Sequence, residues 1–155
     1  MNDEFKKHIE ALEPAYQRLT AITPVRVPDL PRRMPAAGVY LLSEQDVPLY
    51  VGRSNRMRGR LQEHCRPSSG HNAAPFAFRL AREATGKLEA SYKRKGSRSE
   101  LERDPDFKNA FDFAKKRIRQ MDVRFVEEAD PLRQGLLEIY AALACGARYN
   151  DFDTH

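Results

Sequence analysis

The sequence predicts a small mixed α/β (α+β) domain in which a three-stranded antiparallel sheet is flanked by helices. Two β-prone apolar runs, 37–43 and 47–52, are separated by a short polar turn, and this arrangement predicts a β-hairpin. Residues 122–127 alternate apolar and polar side chains, as in a strand with one buried face. Elsewhere apolar residues recur at steps of three and four, which predicts the flanking helices.

Residues 1–36 are predicted to form an N-terminal helix and a proline-rich lead-in to the first strand. The helix covers 3–22 and is expected to be interrupted near Pro14, since proline disrupts a helix interior. Its apolar stripe consists of Phe5, Ile9, Leu12, Tyr16 and Leu19. Such a helix packs on the core or forms a dimer contact, and we prefer the first interpretation.

The remaining domain, 37–151, is predicted to contain a helical insertion at 66–120. Two later helices begin with an aspartate N-cap followed by proline, at Asp104-Pro105 and at Asp130-Pro131. Gly146 is expected to end the last helix. Its predicted buried stripe consists of Leu132, Leu136, Ile139, Tyr140 and Leu143. Glu138 lies off that stripe.

Composition limits the classes of function. The 155 residues favour one domain with one core, and a net charge of +5 with a pI near 9.4 favours polyanionic partners. No long uncharged apolar run is present, so we expect neither a membrane span nor a secretory signal. The cysteines, Cys65 and Cys145, form no metal-ligand spacing and are expected to be reduced in a cytoplasmic protein.

An arginine-rich segment follows the predicted hairpin and suggests chemistry on a phosphodiester. Met57, Leu61 and Cys65 recur every fourth position, which predicts a helix. The polar residues of its neighbouring face are predicted to be Arg56, Arg60 and His64. The hairpin carries Tyr40 and Tyr50 beside this helix. Phenols next to guanidinium groups and an imidazole suit a phosphate ester better than a neutral metabolite.

These residues resemble the GIY-YIG endonuclease family. GVY at 38–40 matches the first motif and YVG at 50–52 matches the second. Arg60, eight residues after Gly52, matches the family arginine. A downstream helix carries Glu138, followed by Asn150, at positions compatible with the family glutamate and asparagine. The resemblance covers about 37–65 and 121–151 and leaves 1–36 and 66–120 unexplained.

The resemblance implies catalytic roles for the residues of the hairpin and the arginine helix. Tyr40 is the candidate general base, and Tyr50 beside it would orient the water or the phosphate. A phenol has a pKa of about 10, so nearby cations would have to lower it. Arg60 is the candidate phosphate-binding residue, and His64 would donate a hydrogen bond to the phosphate or assist proton transfer. The alternatives are half-buried strand tyrosines, a solvated arginine and a surface histidine.

The resemblance also implies that Glu138 binds a divalent metal ion, Mg²⁺ or Mn²⁺. Such an ion keeps most of its waters and needs only one or two carboxylates from the protein. Periodicity alone predicts a solvated glutamate instead. Asn150 would tie the C-terminal segment to the site or contact phosphate.

Further cations are candidate DNA contacts. Arg53 and Arg56 lie at the predicted helix, and a basic run in the insertion carries Lys93, Arg94, Lys95 and Arg98. Contacts of this kind give affinity without sequence choice, and the alternative is solvated surface. A second cluster, 115–119, lies where the helix dipole already favours cations, so its role in binding DNA stays open.

The sequence therefore predicts a metal-dependent endonuclease that hydrolyses DNA phosphodiester bonds. The alternative is a non-catalytic nucleic-acid-binding domain that retains the fold. A binding module would have no reason to keep a carboxylate at 138, because without a metal ion it repels phosphate. The oligomeric state stays open, with a homodimer as one option.

Overall fold

The computed structural model describes residues 1–86 and 98–152. The chain divides into two compact units, and each is described by itself. The first consists of 1–59 and the described residues of 121–155, and the second consists of the described residues of 60–120. None of the described helices is long and apolar enough to cross a membrane.

The N-terminal segment of the first unit forms two helices, α1 (Asp3–Glu10) and α2 (Leu12–Ala21). The helix is interrupted near Pro14, as predicted, with the break at Ala11, three residues before the proline. Pro14 has no backbone N–H, and its ring clashes with the carbonyl four residues before it, so it cannot lie in the interior of a continuous helix. It is tolerated in the first turn of the next helix, where no such bond is required. Only α2 contributes to the core, through Leu12, Ala15 and Leu19. Phe5 and Ile9 of α1 are exposed.

The predicted sheet is confirmed. Its strands are β1 (Gly38–Glu44), β2 (Val47–Ser54) and β3 (Asp122–Glu127), in the order β2-β1-β3 and antiparallel throughout. Gln45 and Asp46 connect β1 to β2 with positive φ angles of 51° and 63°, which is the backbone twist that a two-residue hairpin turn requires.

The last helix of the first unit is α7 (Pro131–Cys145), and the helices between α2 and α7 are described below. Asp130 caps it by accepting a hydrogen bond from Arg133 N at 2.9 Å, and Gly146 ends it with φ 66°, as predicted.

The predicted buried stripe of α7 was wrong for three of its five residues, while Leu136 and Tyr140 pack against the core. Leu132, Ile139 and Leu143 are exposed, and Leu136 and Tyr140 are only partly buried. The face that packs against the sheet consists of Gln134, Leu137, Ala141 and Ala142. Small side chains such as Ala141 and Ala142 allow the helix to lie close to the strands. The prediction instead followed the larger apolar residues of α7, most of which lie on another face. The observed rotation of the helix brings Glu138, next to Leu137, to partial burial.

Register assigns the site residues of the sheet to its two faces. Tyr40 lies opposite Gly52 and Leu42 lies opposite Tyr50. Directly paired residues share a face, so both tyrosines are on the same side of the sheet. The opposite side presents Val39, Leu41, Val51 and Val126, which form one core with α2 and α7.

The chain passes from the first unit to the second within α3 (Met57–Cys65). Its predicted apolar stripe, Met57, Leu61 and Cys65, is buried. The second unit continues with α4 (Pro75–Thr85), α5 (Arg98–Arg103) and α6 (Pro105–Arg119), which confirms helical structure in the described part of 66–120.

Aromatic packing joins α4 to α6. The ring of Phe78 lies 5.0 Å from that of Phe107 and 5.7 Å from that of Phe111. Asp104 caps α6, as predicted, by accepting a hydrogen bond from Asp106 N at 2.9 Å. Lys115 of α6 is buried and donates to the carbonyl oxygens of Pro67 and Ser69 at 2.7 and 2.9 Å. Part of the basic cluster at 115–119 is therefore structural.

Candidate active site

The glycine of GVY allows β1 to lie close to β3. A Cβ atom at Gly38 would be only 2.0 Å from the carbonyl oxygen of Val126. The atoms in the way are backbone atoms of β3, which cannot move aside as a flexible side chain can. Any residue other than glycine at 38 would therefore push β1 and β3 apart. The first glycine thus has a structural reason that its pattern alone does not reveal.

The glycine of YVG makes room for the tyrosine of GVY. A Cβ atom at Gly52 would be 2.3 Å from Tyr40 Oη and 2.4 Å from its Cζ. The phenol of Tyr40 therefore lies directly over the backbone of β2 at this glycine. Tyr40 is buried, with 1% of its surface exposed, while Tyr50 is partly buried. Their ring centroids are 6.5 Å apart, so the hairpin brings the two phenols together.

Asn150 fastens the C-terminal segment to the outer edge of β2. Its Oδ1 accepts from Val51 N and its Nδ2 donates to Val51 O, both at 2.8 Å. Tyr149 N also donates to Leu49 O at 2.9 Å. The amide thus behaves as an additional strand partner. Of its two predicted roles, this geometry favours the tie to the site over a phosphate contact.

Arg53 and Glu138 are electrostatic neighbours in the first unit. Arg53 Nη1 donates to Pro131 O at 3.3 Å, and its guanidinium lies against α7 where a Cβ at Gly135 would be 3.8 Å away. Burial raises the pKa of the Glu138 carboxyl, and the nearby positive charge of Arg53 opposes that shift. Glu138 is therefore half-buried beside a cation, not a solvated side chain.

The phenol pair and the Arg53–Glu138 pair belong to opposite faces of the sheet. Arg53 lies opposite Val39, on the face that α7 covers, whereas Tyr40 and Tyr50 point to the other face. The first unit therefore contains two pairs of candidate residues. The edge strand β2 contributes one residue to each pair, Tyr50 and Arg53.

Glu138 is the candidate carboxylate ligand for a hard divalent cation. Among the residues that the structure describes, no group of three or more His, Cys, Asp and Glu side chains could hold a metal ion. That excludes, within the described chain, a site built entirely from such ligands. Burial raises the pKa of the Glu138 carboxyl, so a bound cation would stabilise its charged form. One carboxylate can suffice for Mg²⁺, because this ion retains most of its waters.

Arg60 and His64 lie in the second unit, on α3. Arg60 Nη1 donates to Ala73 O at 2.8 Å and contacts Glu63 Oε2 at 3.2 Å. The predicted alternative of a surface histidine was wrong for His64, which is fully buried with its ring edge-on to Phe76 at 6.5 Å. Burial, reinforced by the charge of Arg60 and opposed by Glu63, lowers the pKa of His64 to about 3. Its imidazole is neutral near pH 7.

The remaining predicted DNA contacts have varied positions. Arg56 is exposed, but it precedes the first residue of α3, so the predicted shared helix face was wrong for it. Its backbone N donates to Ser54 Oγ at 3.0 Å instead. Arg98 is exposed at the start of α5. Lys93, Arg94 and Lys95 lie outside the described residues.

Gln134 is a structural residue that the sequence reasoning missed. It is buried, and its Nε2 donates to Asn55 Oδ1 at 2.9 Å and to Glu128 O at 2.6 Å. The first bond connects α7 to the segment between β2 and α3, and the second connects it to the segment between β3 and α7. The available signal was its spacing of three and seven residues from Leu137 and Ala141, which places an amide on an otherwise apolar face.

A family model described as the GIY-YIG catalytic domain matches residues 36–128, more than half of the chain. The match includes Tyr40, Tyr50, Arg60 and His64, and it ends before α7, so Glu138 and Asn150 lie beyond it. No curated protein and no solved structure was found to match the chain.

Proposed function

Because this chain belongs to the GIY-YIG nuclease family, we propose that it is a divalent-metal-dependent endonuclease that hydrolyses DNA phosphodiester bonds. The observation that carries the proposal is the position of Tyr40, whose buried phenol lies over the glycine of the second motif. A side chain fixed in this way has little freedom to lose when it reacts, which is a requirement of an efficient catalytic group.

Tyr40 acts as the general base in this proposal. Its phenolate oxygen would accept a proton from the water that attacks the phosphorus, and Tyr50, 6.5 Å away between ring centroids, would orient the water or the phosphate. A phenol must lose its proton to act as a base, so a cation close to the oxygen has to lower its pKa in the complex with DNA.

Glu138 supplies the carboxylate for the metal ion, with Arg53 beside it to bind phosphate. Because this pair and the phenols lie on opposite faces of the sheet, the phosphate would have to lie at the edge strand β2, which carries both Tyr50 and Arg53. When bound, Mg²⁺ or Mn²⁺ would polarise the phosphate and stabilise the leaving 3′-oxygen. Glu138 is prepared for this role because partial burial leaves its charge poorly solvated.

Arg60, which lies within the family match, is proposed as a phosphate-binding residue. Both of its observed contacts, to Ala73 O and Glu63, are made through Nη1. The phosphate would therefore be bound through Nη2 and Nε, whose planar arrangement matches two phosphate oxygens. His64 remains neutral near pH 7 and would position groups by hydrogen bonding, not act as an imidazolium acid.

Affinity for DNA would come from further cations of the chain. We assign Arg56, Arg98 and the run Lys93–Lys95 to phosphate contacts that are independent of sequence. The first two are exposed at the starts of α3 and α5.

Glu138→Ala separates this proposal from a non-catalytic binding domain. The variant should lose cleavage of supercoiled plasmid in Mg²⁺ while retaining DNA affinity in a mobility-shift assay, because only the proposed metal ligand is removed. Glu4→Ala, at an exposed position in the first turn of α1, is the matched control and should cleave normally. Cleavage by Glu138→Ala at the wild-type rate would refute the metal assignment.

A further inference from the structure

The outward face of α6 carries one large apolar side chain in a polar setting. Phe113 is 69% exposed, and it is the one large hydrophobic residue exposed within the described part of the second unit. The neighbouring Phe107 and Phe111 are buried and anchor the helix in the aromatic cluster. Phe113 is thus presented to solvent by a rigid helix.

Helical spacing surrounds Phe113 with amides and cations. Asn109 lies one turn before it, Lys116 and Arg117 lie one turn after it, and Gln120 lies two turns after it. Asn109, Lys116 and Gln120 are exposed, and Arg117 is partly exposed. Of the neighbouring carboxylates, Asp112 pairs with Lys115 at 3.4 Å, and Asp106 lies two turns before Phe113 near the start of the helix.

This composition does not suit an apolar protein interface. The core of such an interface is depleted of charged residues and formed by several large apolar side chains together. On α6, the apolar neighbour of Phe113 by helical spacing is only the small, partly exposed Ala110. An aromatic ring flanked by cations and amides does suit a nucleic acid. The ring stacks on a base, the cations bind phosphates, and the amides form hydrogen bonds with base edges.

The phenyl group also distinguishes between forms of DNA. It has no donor or acceptor for a phosphate or for a base edge in a groove. Its favourable contact with a base is face to face, and in a duplex the base faces are covered by their neighbours. A single exposed phenylalanine among cations therefore favours bases that are unpaired or unstacked.

We propose that the outward face of α6 binds an unpaired segment of DNA, with Phe113 stacked on a base and Lys116 and Arg117 on flanking phosphates. This rests on the proposed function in taking DNA as the substrate, and it adds the class of DNA that the protein prefers. It also divides the basic cluster at 115–119 into a buried structural residue, Lys115, and surface residues that bind DNA.

Binding in EDTA, without cleavage, tests the proposal on two probes: a short duplex and the same duplex with a central run of unpaired bases containing 2-aminopurine. Phe113→Leu keeps an apolar side chain but removes the ring. It should weaken binding to the unpaired probe about 5- to 150-fold, leave duplex binding and the salt dependence unchanged, and abolish the change in 2-aminopurine fluorescence.

Two variants serve as controls. Phe113→Tyr retains the ring and should bind as the wild type does. Leu143→Ala, at another exposed apolar position on α7, should have no effect. The double variant Lys116→Ala/Arg117→Ala should weaken binding to both probes. It should also flatten the salt dependence, since binding with fewer phosphate contacts releases fewer counterions.

Equal affinity of wild type and Phe113→Leu for the unpaired probe would overturn the proposal, as would an equal loss on both probes. A change in the sedimentation of the protein alone caused by Phe113→Leu would assign this face to a contact between copies, and it would also overturn the proposal. Failure of the wild type to cleave in Mg²⁺, with preference for the unpaired probe retained, would refute the proposed function and leave this inference standing.

Discussion

Gly52→Ala should inactivate the protein without unfolding it. The new Cβ atom would be 2.3 Å from Tyr40 Oη and 2.4 Å from Cζ. Both atoms are at the end of a side chain, so the ring can move more easily than the strand. The substitution therefore displaces the proposed base and leaves the hairpin in place.

The size of the displacement follows from these distances. Ordinary contact begins at 3.4 Å, and the Cζ atom must move by about 1 Å to reach it. A misplacement of about 1 Å can lower a catalytic rate by roughly 10²-fold. Overpacking of a buried site lowers the free energy of unfolding by about 1–3 kcal/mol, which is a modest part of the stability of a domain.

Single-turnover cleavage of plasmid and urea denaturation measure the two effects separately. Gly70→Ala is the control, since its Cβ would make only an ordinary contact, 3.5 Å from Glu102 Oε1. In a Tyr40→Ala background, Gly52→Ala should cause no further loss of cleavage, because the clashing ring is absent. Wild-type cleavage by Gly52→Ala would show that the position of the Tyr40 phenol does not control the reaction.

Three further outcomes are expected. Tyr40→Phe should lower the rate of cleavage by roughly 10²–10⁴-fold with little change in melting temperature, and a parallel loss of both would assign Tyr40 a structural role instead. Asn150→Ala removes two hydrogen bonds to Val51 and should lower the free energy of unfolding by about 1–3 kcal/mol; an unchanged urea midpoint would contradict the strand-partner role. His64 has a pKa of about 3 in the folded protein, against about 6.5 for an unperturbed histidine side chain, so the unfolded state binds the proton first as pH falls. Stability should therefore decrease from about pH 6.5 towards pH 3, by at most about 1.4 kcal/mol per pH unit from this group, and His64→Gln should show a shallower decrease in urea titrations across that range.

Patterns of short range predicted much of the fold. The hairpin, the third strand, the aspartate N-caps and the terminal glycines were read from neighbouring residues, because each depends on local backbone chemistry. Helix orientation was predicted less well. Leu132, Ile139 and Leu143 of the predicted α7 stripe are exposed, since the buried face of the helix contains Ala141, Ala142 and a hydrogen-bonded Gln134 instead. Only tertiary contacts could reveal that choice.

For the candidate site, the sequence predicted the positions of the residues but not their surroundings in the fold. The resemblance identified Tyr40 and Gly52 by position, but the reason for the glycine is a contact between two strands. The environment of His64 also depends on packing, because its charged neighbours are visible in the sequence and its burial is not. Glu138 lay off the predicted stripe, and only the observed rotation of α7 explains why its carboxylate is half-buried beside Arg53.

The most direct measurement is incubation of the wild-type protein with supercoiled plasmid, in parallel with Mg²⁺ and with EDTA. The proposed chemistry predicts conversion to nicked or linear DNA with Mg²⁺ and intact plasmid with EDTA. Plasmid that stays supercoiled in both reactions, although a mobility shift shows that the protein has bound it, would contradict the endonuclease assignment and favour a nucleic-acid-binding domain that retains the nuclease fold.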